Sequence, residues 1–404
     1  MYCVRRVNED IYWVGCNDRI SPRFENIHPI PEGTSYNSYL MMDEKTVLFD
    51  TTEWEVSKQF LDNLDYVLDG RALDYVVVNH MEPDHGASLE LVIEKHPGVK
   101  IVCTAKAEAM MKQFSFYDSD ERVITVKEGD EMSFGKHQIQ FLMAPMVHWP
   151  EVMVSYDKTS GTLFSADAFG SFGALNGKLF ADEVNYKEEF AEYARRYYTN
   201  IVGKYGPQVQ ALLKKAQNLD VKYICSLHGL VFRTPEDIQY ILDQYQLWST
   251  YTPEEAGVLI VYGSMYGGTE NCAEILGSFL CQEGVTNFKM YDVTSTHVST
   301  LISKAFQYSH VVLMSVTYNM KTFPPMWNFV EDMSALNLQN RKVAILENGS
   351  WAAQSGKLIK EHIESMNNME VICPVVTVKS KLVEEQVQQL KEMAKNIAES
   401  VKSV

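Results

Sequence analysis

The hydrophobic pattern of the chain changes character near residue 250. Before that point, short apolar runs alternate with stretches of helical periodicity, which predicts a layered α/β domain. The apolar runs are TVLFD, LDYVVVNH, VKIVCT, IQFLMAPMVHW, GTLFSAD and VKYICSLHG. The helical stretches lie near residues 55–68, 86–95, 105–114, 187–217 and 235–248.

The pattern that follows is more regular. Apolar strands are predicted at GVLIVYG, FKMYDV, HVVLMSV, KVAILEN and EVICPVVTV, each followed by a segment of helix length. Five such units predict a doubly wound parallel sheet of flavodoxin size, with a last helix over about residues 382–400. The change of pattern falls in STYTPEEA, so we expect one domain over residues 1–252 and a second over residues 253–404.

Composition narrows the class of protein. The chain has 404 residues and a net charge of −17, which argues against nucleic-acid binding. No apolar run is long enough to span a membrane, and the N-terminus does not read as a signal peptide. The seven cysteines form no CxxC pair, which excludes a rubredoxin-type iron site within this chain and favours reduced thiols in a cytoplasmic protein.

One buried strand runs directly into a group of ionisable residues, His80-Met81-Glu82-Pro83-Asp84-His85. So many ligand-type side chains on one loop would repel each other or demand costly desolvation unless a cation balanced them. Three further predicted strand ends carry His148, Asp167 and His228. Taken singly, each of these residues is more often a capping aspartate or a core histidine, but together they suffice for two metals if Asp167 bridges them.

The pattern HxExDH, followed by His, Asp and His after successive strands, resembles the metallo-β-lactamase-fold domain of the flavodiiron proteins. Hydrolases of that superfamily carry HxHxDH, whereas this chain has Glu82 in the second place, which favours iron over zinc. The resemblance implies one iron held by His80, Glu82 and His148, and a second held by Asp84, His85 and His228. Asp167 and a solvent oxygen would bridge the two ions, and some family members leave the His85 position off the metal.

Two tyrosines in ARRYYTNI, Tyr197 and Tyr198, resemble residues that the family places near the metal pocket. A phenol at that place can donate a hydrogen bond or a proton to bound oxygen, and Tyr197 is the candidate catalytic residue. Ordinary packing in a helix or core accounts for both tyrosines equally well.

A second constellation opens the C-terminal half, in LIVYGSMYGGTENCAEIL. Its Gly-rich turn between strand and helix predicts an anion site, and it matches neither GxxxxGK[ST] nor GxGxxG. Two further strand ends, SVTYN and ENGSW, place small polar residues beside an aromatic ring. The set fits a planar ring on a single phosphate, which is FMN, and it resembles flavodoxins. The expected FMN contacts are Ser264, Met265, Tyr266, Gly267, Gly268, Thr269, Ser315, Val316, Thr317, Tyr318, Asn319, Asn348, Gly349, Ser350 and Trp351.

The flavin loops depart from the family pattern in two places. Val316 stands where proline is usual, and Ala353 stands where the family tends to carry a second aromatic residue. We therefore expect FMN to bind, with stacking and reduction potential that differ from those of typical members.

The resemblance covers essentially the whole chain and implies an αββα sandwich followed by a flavodoxin-like domain. It also implies an oxidoreductase that reduces O2 to water, NO to N2O, or both, at a diiron site refilled through FMN. Partners implied are a separate rubredoxin or reduced coenzyme F420 as electron donor, and a second copy of the chain in a head-to-tail homodimer or a dimer of dimers. Two alternatives stay open: a zinc hydrolase with an accessory flavodoxin domain, and an FMN electron-transfer module whose metal site is inert.

Overall fold

A computed structural model describes residues 2–114 and 120–403 of the chain. The chain divides into two compact units, one formed by Met1–Tyr198 with Pro207–Tyr245 and the other by Thr199–Gly206 with Gln246–Val404. The expected domain boundary after residue 252 stays a prediction, because compactness does not show which part folds alone. Within the described residues, no helix has both the length and the apolar composition that a membrane crossing requires.

Two sheets form the centre of the first unit. The larger has seven strands, in the spatial order Arg5–Arg6, Ile11–Trp13, Tyr39–Met42, Thr46–Phe49, Tyr75–Val77, Lys100–Thr104 and Val123–Val126. The smaller has five, in the order Glu131–Ser133, Gln138–Met143, Met153–Asp157, Thr162–Phe164 and Tyr223–Cys225. Hairpin pairings within each sheet are antiparallel, and parallel pairings adjoin the strands that end in ligand-type residues.

Side chains of the larger sheet alternate between two buried faces, as the period of a strand requires. Leu48 and Val76 point to one face and pack with Phe60 and Leu64 of a helix. On the other face, the ring of Phe49 stacks on Phe164 of the smaller sheet, with centroids 3.7 Å apart. The sheets therefore pack against each other and helices cover the outside, which confirms the predicted αββα sandwich.

The helices of this part of the chain match the predicted stretches except in one place. They are Ser57–Leu68, Pro83–Gly86, Leu89–Lys95, Ala105–Phe114, Tyr186–Glu189, Ala191–Tyr197, Gly206–Ala216 and Pro235–Ser249, with 3₁₀ turns at Trp54–Val56, Asp120–Arg122, Ala181–Glu183 and Gly203–Tyr205. The helical stretch predicted at 187–217 is not continuous, because a π-helical segment, Tyr198–Val202, interrupts it. Such wide turns are frequent at functional sites.

Short strands near the N-terminus were not predicted. Cys16–Asp18 pairs with Thr34–Tyr36, and Arg23–Phe24 pairs with His28–Pro29. These strands of two or three residues are too short to show a period in the sequence.

The second unit contains one mainly parallel sheet. Its order is Phe288–Asp292, Glu255–Gly263, Tyr308–Tyr318, Arg341–Asn348 and Met369–Val371, with Lys321–Thr322 and Val376–Val378 attached at its side. If the five main strands are numbered along the chain, their spatial order in the sheet is 2-1-3-4-5, which is the flavodoxin arrangement. Its helices are Gly268–Gln282, Val298–Gln307, Pro324–Ala335, Ser355–Glu364 and Glu384–Lys402. The predicted doubly wound sheet is confirmed, with the last predicted strand divided into two pieces.

Candidate functional site

The loop after the strand Tyr75–Val77 carries four of the predicted ligands. Asp50 fixes its start, because one carboxylate oxygen accepts the N–H groups of Asn79 at 2.7 Å and His80 at 3.1 Å. Pro83 begins a one-turn helix at the position that tolerates a missing N–H. That turn brings Asp84 and His85 back beside His80, and all three side chains are buried.

Four ligand-type side chains meet on one side of the site. His148 Nε2 lies 3.0 Å from Glu82 Oε2 and 3.1 Å from Asp167 Oδ2. His80 Nε2 lies 3.2 Å from the same oxygen of Glu82 and 3.4 Å from the same oxygen of Asp167. The nitrogens and oxygens of these four residues thus surround one point, with geometry that can hold a metal ion.

The remaining three ligand-type residues form a second group. Asp84 Oδ2 lies 3.2 Å from the Nε2 atoms of both His85 and His228. The other oxygen of Asp167, Oδ1, faces this group, at 3.1 Å from His85 Nε2 and 3.7 Å from His228 Nε2. The structure therefore brings all seven predicted residues together, and Asp167 presents one oxygen to each group.

The charges of the cluster depend on one another. Burial alone would lower the pKa of His80, but Asp167, Glu151 and Glu82 raise it well above its ordinary value. Burial alone would raise the pKa of Asp167, but His80, His85 and His148 hold it well below its ordinary range. The carboxylates are thus stable as anions only beside positive charge, which metal cations supply.

The donor atoms themselves fit metal ions. Buried atoms without a hydrogen-bond partner include both carboxylate oxygens of Asp84, Oδ1 of Asp167, and Nε2 of His85 and His228. Leaving so many buried polar atoms unpaired is costly unless they ligate a cation. Nitrogen and carboxylate oxygen in equal measure, without thiolate, suit iron or zinc, and the extra carboxylate Glu82 favours iron.

The loop that carries Asp167 is held in a strained form. Ala166 and Phe169 have positive φ angles of 51° and 70°. The hydroxyl of Tyr245 accepts a hydrogen bond from the Phe169 N–H group and so offsets part of that strain. A Cβ at Gly170 would lie 3.0 Å from the Asp167 carbonyl oxygen and 3.1 Å from the ring of Tyr197, so any larger residue there would press on both.

Tyr197 ends the helix Ala191–Tyr197 beside the second group of ligands. Its ring lies 5.3 Å from that of His228, and its hydroxyl is buried without a hydrogen-bond partner. Burial and the carboxylates of Asp167, Asp84 and Glu82 raise its pKa well above the ordinary value. Tyr198 points elsewhere, with its ring 4.9 Å from that of Tyr245.

A cavity of about 330 Å³ opens on the ligand cluster. Besides Glu82 and Asp84, its wall contains Glu25 and Glu53, which the sequence interpretation missed. Burial and the neighbouring Glu82 raise the pKa of Glu25 to about 8. The sequence did not indicate that Glu25 lines this cavity, because Glu25 lies outside any recognisable motif.

A second cavity, of about 480 Å³, lies at the carboxyl ends of the strands of the flavodoxin-like unit. Twelve of the fifteen predicted FMN contacts line it, and the exceptions are Gly267, Ser315 and Tyr318. Gly267 begins the helix Gly268–Gln282 with a φ of 84°, and its N–H donates to Ser264 Oγ. Tyr266 and Trp351 project at the rim, 96% and 89% exposed, as suits stacking on a flat ring.

The cavity also has a wall that was not predicted, formed in part by Ser380 and Lys381. These residues follow the strand Val376–Val378, so the rule that ligands bind at carboxyl ends of strands applies to them as well. Lys381 adds the positive charge that a phosphate group attracts.

Comparison with known proteins agrees with both halves of this description. Residues 34–229 match the family described as "ODP family beta lactamase", and residues 260–392 match the flavodoxin family. The chain is 30% identical to the rubredoxin-oxygen oxidoreductase of Megalodesulfovibrio gigas over 98% of both proteins. It is 32% identical to the anaerobic nitric oxide reductase flavorubredoxin of Vibrio vulnificus, over 85% of this chain and 70% of the relative.

Solved structures show the same likeness. The structure of rubredoxin oxygen:oxidoreductase from Desulfovibrio gigas superposes with a TM-score of 0.92 at 30% identity, over 99% of each chain. The flavodiiron protein from Giardia intestinalis gives a TM-score of 0.92 at 25% identity, over 99% of this chain and 97% of the other. These matches extend through both units of the chain and include the region of every candidate ligand. The chain therefore belongs to the flavodiiron protein family.

Proposed function

We propose that this protein is a flavodiiron oxidoreductase that reduces O2 to water, NO to N2O, or both. The observation that carries the proposal is the placement of Asp167, whose two carboxylate oxygens face two separate groups of buried nitrogen and oxygen ligands. A carboxylate so placed is suited to hold two metal ions side by side, which is what a diatomic substrate needs. A two-zinc hydrolase could use the same bridge, but Glu82 in place of the second histidine of HxHxDH argues against zinc.

In this proposal His80, Glu82 and His148 would hold one iron, Asp84, His85 and His228 would hold the other, and Asp167 would serve both. A hydrogen bond on the far side of the ring fixes the orientation of His228. Its Nδ1 donates to the Ser35 carbonyl at 2.7 Å, which leaves Nε2 for the metal. When bound, the iron pair and FMN supply the one- and two-electron chemistry that no side chain of this chain can perform.

The flavodoxin-type domain indicates FMN as its cofactor. The backbone between Gly263 and Thr269 and the start of the following helix would receive the phosphate, since the first N–H groups of a helix have no partner within it. The loops at Thr317 and Asn348 would contact the ring, and Thr317 Oγ1 is already fixed by the N–H groups of Gln354 and Ser355 at 2.9 and 3.1 Å.

Tyr197 would act on the substrate as a proton-holding group. Its raised pKa keeps the hydroxyl protonated, and its burial beside His228 keeps bulk water from competing for that proton. The role assigned to Tyr197 is donation of a hydrogen bond or proton from Oη toward the oxygen of the bound gas.

The partners are part of the proposal. Electrons would come from a separate rubredoxin, in line with the name of the M. gigas relative, or from reduced coenzyme F420. A head-to-tail homodimer, or a dimer of dimers, would place the FMN of one copy next to the irons of another. A cytoplasmic location accords with seven cysteines that are all free thiols.

Gas consumption by the iron- and FMN-loaded protein tests the proposed activity. We expect O2 or NO to be consumed when reduced rubredoxin is supplied, measured with a gas electrode. Tyr197→Phe should lower turnover by about 100-fold, which is the lower end of what a positioned proton donor contributes.

Tyr186→Phe is the matched control, because the Tyr186 hydroxyl is also buried without a hydrogen-bond partner. Burial raises its pKa, together with Tyr240, Tyr245 and Asp237, and none of these is a candidate ligand. Equal turnover of Tyr197→Phe, Tyr186→Phe and the unmodified protein would remove Tyr197 from the mechanism. Failure to consume either gas, with both cofactors bound, would contradict the proposed function itself.

A further inference from the structure

A buried carboxylate stands behind one of the histidine ligands. Glu151 Oε1 lies 2.7 Å from His80 Nδ1, and the side chains of both residues are fully buried. The same oxygen accepts the N–H group of Met81 at 2.9 Å. The Met81 N–H group can only donate, so Oε1 accepts there. An ionised Glu151 can only accept from His80 as well, which places the proton of that contact on Nδ1.

This contact also joins two ligand loops. His80 follows the strand Tyr75–Val77, whereas Glu151 lies three residues after His148 in the loop before Met153–Asp157. The Glu151 carbonyl accepts the Thr104 hydroxyl at 3.0 Å, which fixes the loop from a third strand. Glu151 therefore holds in register two loops that supply ligands to the same metal position.

Two of the other three histidines have weaker partners behind them, or none. His228 Nδ1 donates to a neutral backbone carbonyl, and His85 Nδ1 is buried without a hydrogen-bond partner. Each metal position has one carboxylate of its own, Glu82 or Asp84, and shares Asp167. Glu151 is thus a fully buried carboxylate that contacts a histidine of one metal position and has no counterpart behind His85 or His228.

We propose that Glu151 is a positioning residue that acts through His80 to make the iron held by His80, Glu82 and His148 the harder of the two to reduce. A carboxylate that accepts the Nδ1 proton increases the negative charge on the imidazole, and a more basic ligand stabilises the ferric ion over the ferrous ion. The first electron delivered to the pair then resides on the iron held by Asp84, His85 and His228. The inference rests on the proposed iron site and adds an order of reduction to it.

Glu151→Gln tests the inference, because glutamine keeps the size of the side chain and an acceptor oxygen but removes the charge. The loaded protein, enriched in ⁵⁷Fe, is titrated with reductant and followed by Mössbauer and electron paramagnetic resonance spectroscopy. We expect one of the two iron signals to change and to be reduced at a higher potential than in the unmodified protein. Iron retention at that position should fall about 10- to 100-fold, as is usual when the group behind a metal-bound histidine is lost.

The chain offers a close control. Asp157 Oδ2 lies 2.7 Å from Nδ1 of the buried His137, the same contact at the same distance, but His137 is outside the ligand cluster. Asp157→Asn should lower thermal stability and leave both iron signals, both potentials and iron retention unchanged. An equal change in the iron signals of the two variants would show a general loss of structure and would overturn the inference.

A second variant keeps the test possible if Glu151→Gln does not fold. Glu151→Asp keeps the charge with a shorter reach, and we expect its site potential to lie between those of the unmodified protein and the glutamine variant. At least one of the two variants should fold. If that variant gives iron signals and potentials equal to those of the unmodified protein, the inference is wrong. An unmodified protein that binds no iron would instead contradict the proposed function, so the two failures are distinguishable.

Discussion

Replacement of Gly268 by alanine would act at the most crowded backbone contact of the flavin cavity. A Cβ at this position would lie 2.3 Å from the Ser380 carbonyl oxygen and 3.3 Å from Asn348 Nδ2. The loop at Ser380 would have to retreat by roughly 1 Å to restore van der Waals separation. Ser380 also lines the cavity, so this displacement would change the shape of the site that receives FMN. We expect FMN to require the loop in its original place, so the cost of the added methyl group would fall on the bound state.

The size of the effect follows from the cost of overpacking, which is about 1–3 kcal/mol. Since each 1.4 kcal/mol is tenfold in a binding constant, we expect Gly268→Ala to weaken FMN binding by about 5- to 140-fold. The assay is titration of flavin-free protein with FMN, followed by quenching of flavin fluorescence.

Gly277→Ala in the same helix is the matched control, because its added methyl group meets flexible side chains at 3.3 Å outside the cavity. The control should bind FMN as tightly as the unmodified protein. Binding by Gly268→Ala within about twofold of the unmodified protein would refute the argument, because the Ser380 loop would then have no part in holding FMN.

Three further outcomes are expected. Asp167→Asn keeps the shape of the side chain but removes the charge shared by both ligand groups, so iron content should fall from two per chain toward zero; full iron content by elemental analysis would exclude the bridging role. Arg341→Met removes a fully buried guanidinium that donates to five backbone carbonyls, so the free energy of unfolding in urea should fall by about 3 kcal/mol, and an unchanged value would show that water replaces those donors. Burial, with help from Lys342, lowers the pKa of His310 to about 4, below the value of about 6.5 in an unfolded chain. The unfolded state then binds the proton more readily, so the contribution of neutral His310 to stability is complete above pH 6.5 and is lost as pH falls toward 4. His310→Asn should therefore lose less stability than the unmodified protein between pH 7 and pH 4, as measured by thermal unfolding.

The sequence predicted the sites well where the functional residues come directly after a strand. His80 and its neighbours stand directly after a buried run, and the carboxyl ends of strands converge, so their meeting could be expected. The same reasoning placed His148, Asp167 and His228 at the site. The assignment of ligands to separate irons came from the family resemblance, and the placement of the two Asp167 oxygens agrees with it.

Contacts that depend on the tertiary fold could not be predicted. Glu151 meets His80 across 71 positions of sequence, and nothing near Glu151 distinguishes it from an ordinary loop glutamate. Tyr245 reaches the Asp167 loop across 76 positions in the same way. The interruption of the helical stretch at Tyr198–Val202 also has no mark in the sequence, since those residues continue the helical period.

Iron and FMN content of the purified protein test the central claim most directly. The account predicts about two iron ions and one FMN per chain, measured by elemental analysis and the visible spectrum of the released flavin. Zinc in place of iron with FMN bound would contradict the diiron site and favour the hydrolase or the electron-transfer alternative. Absence of FMN would contradict the assignment of the second cavity.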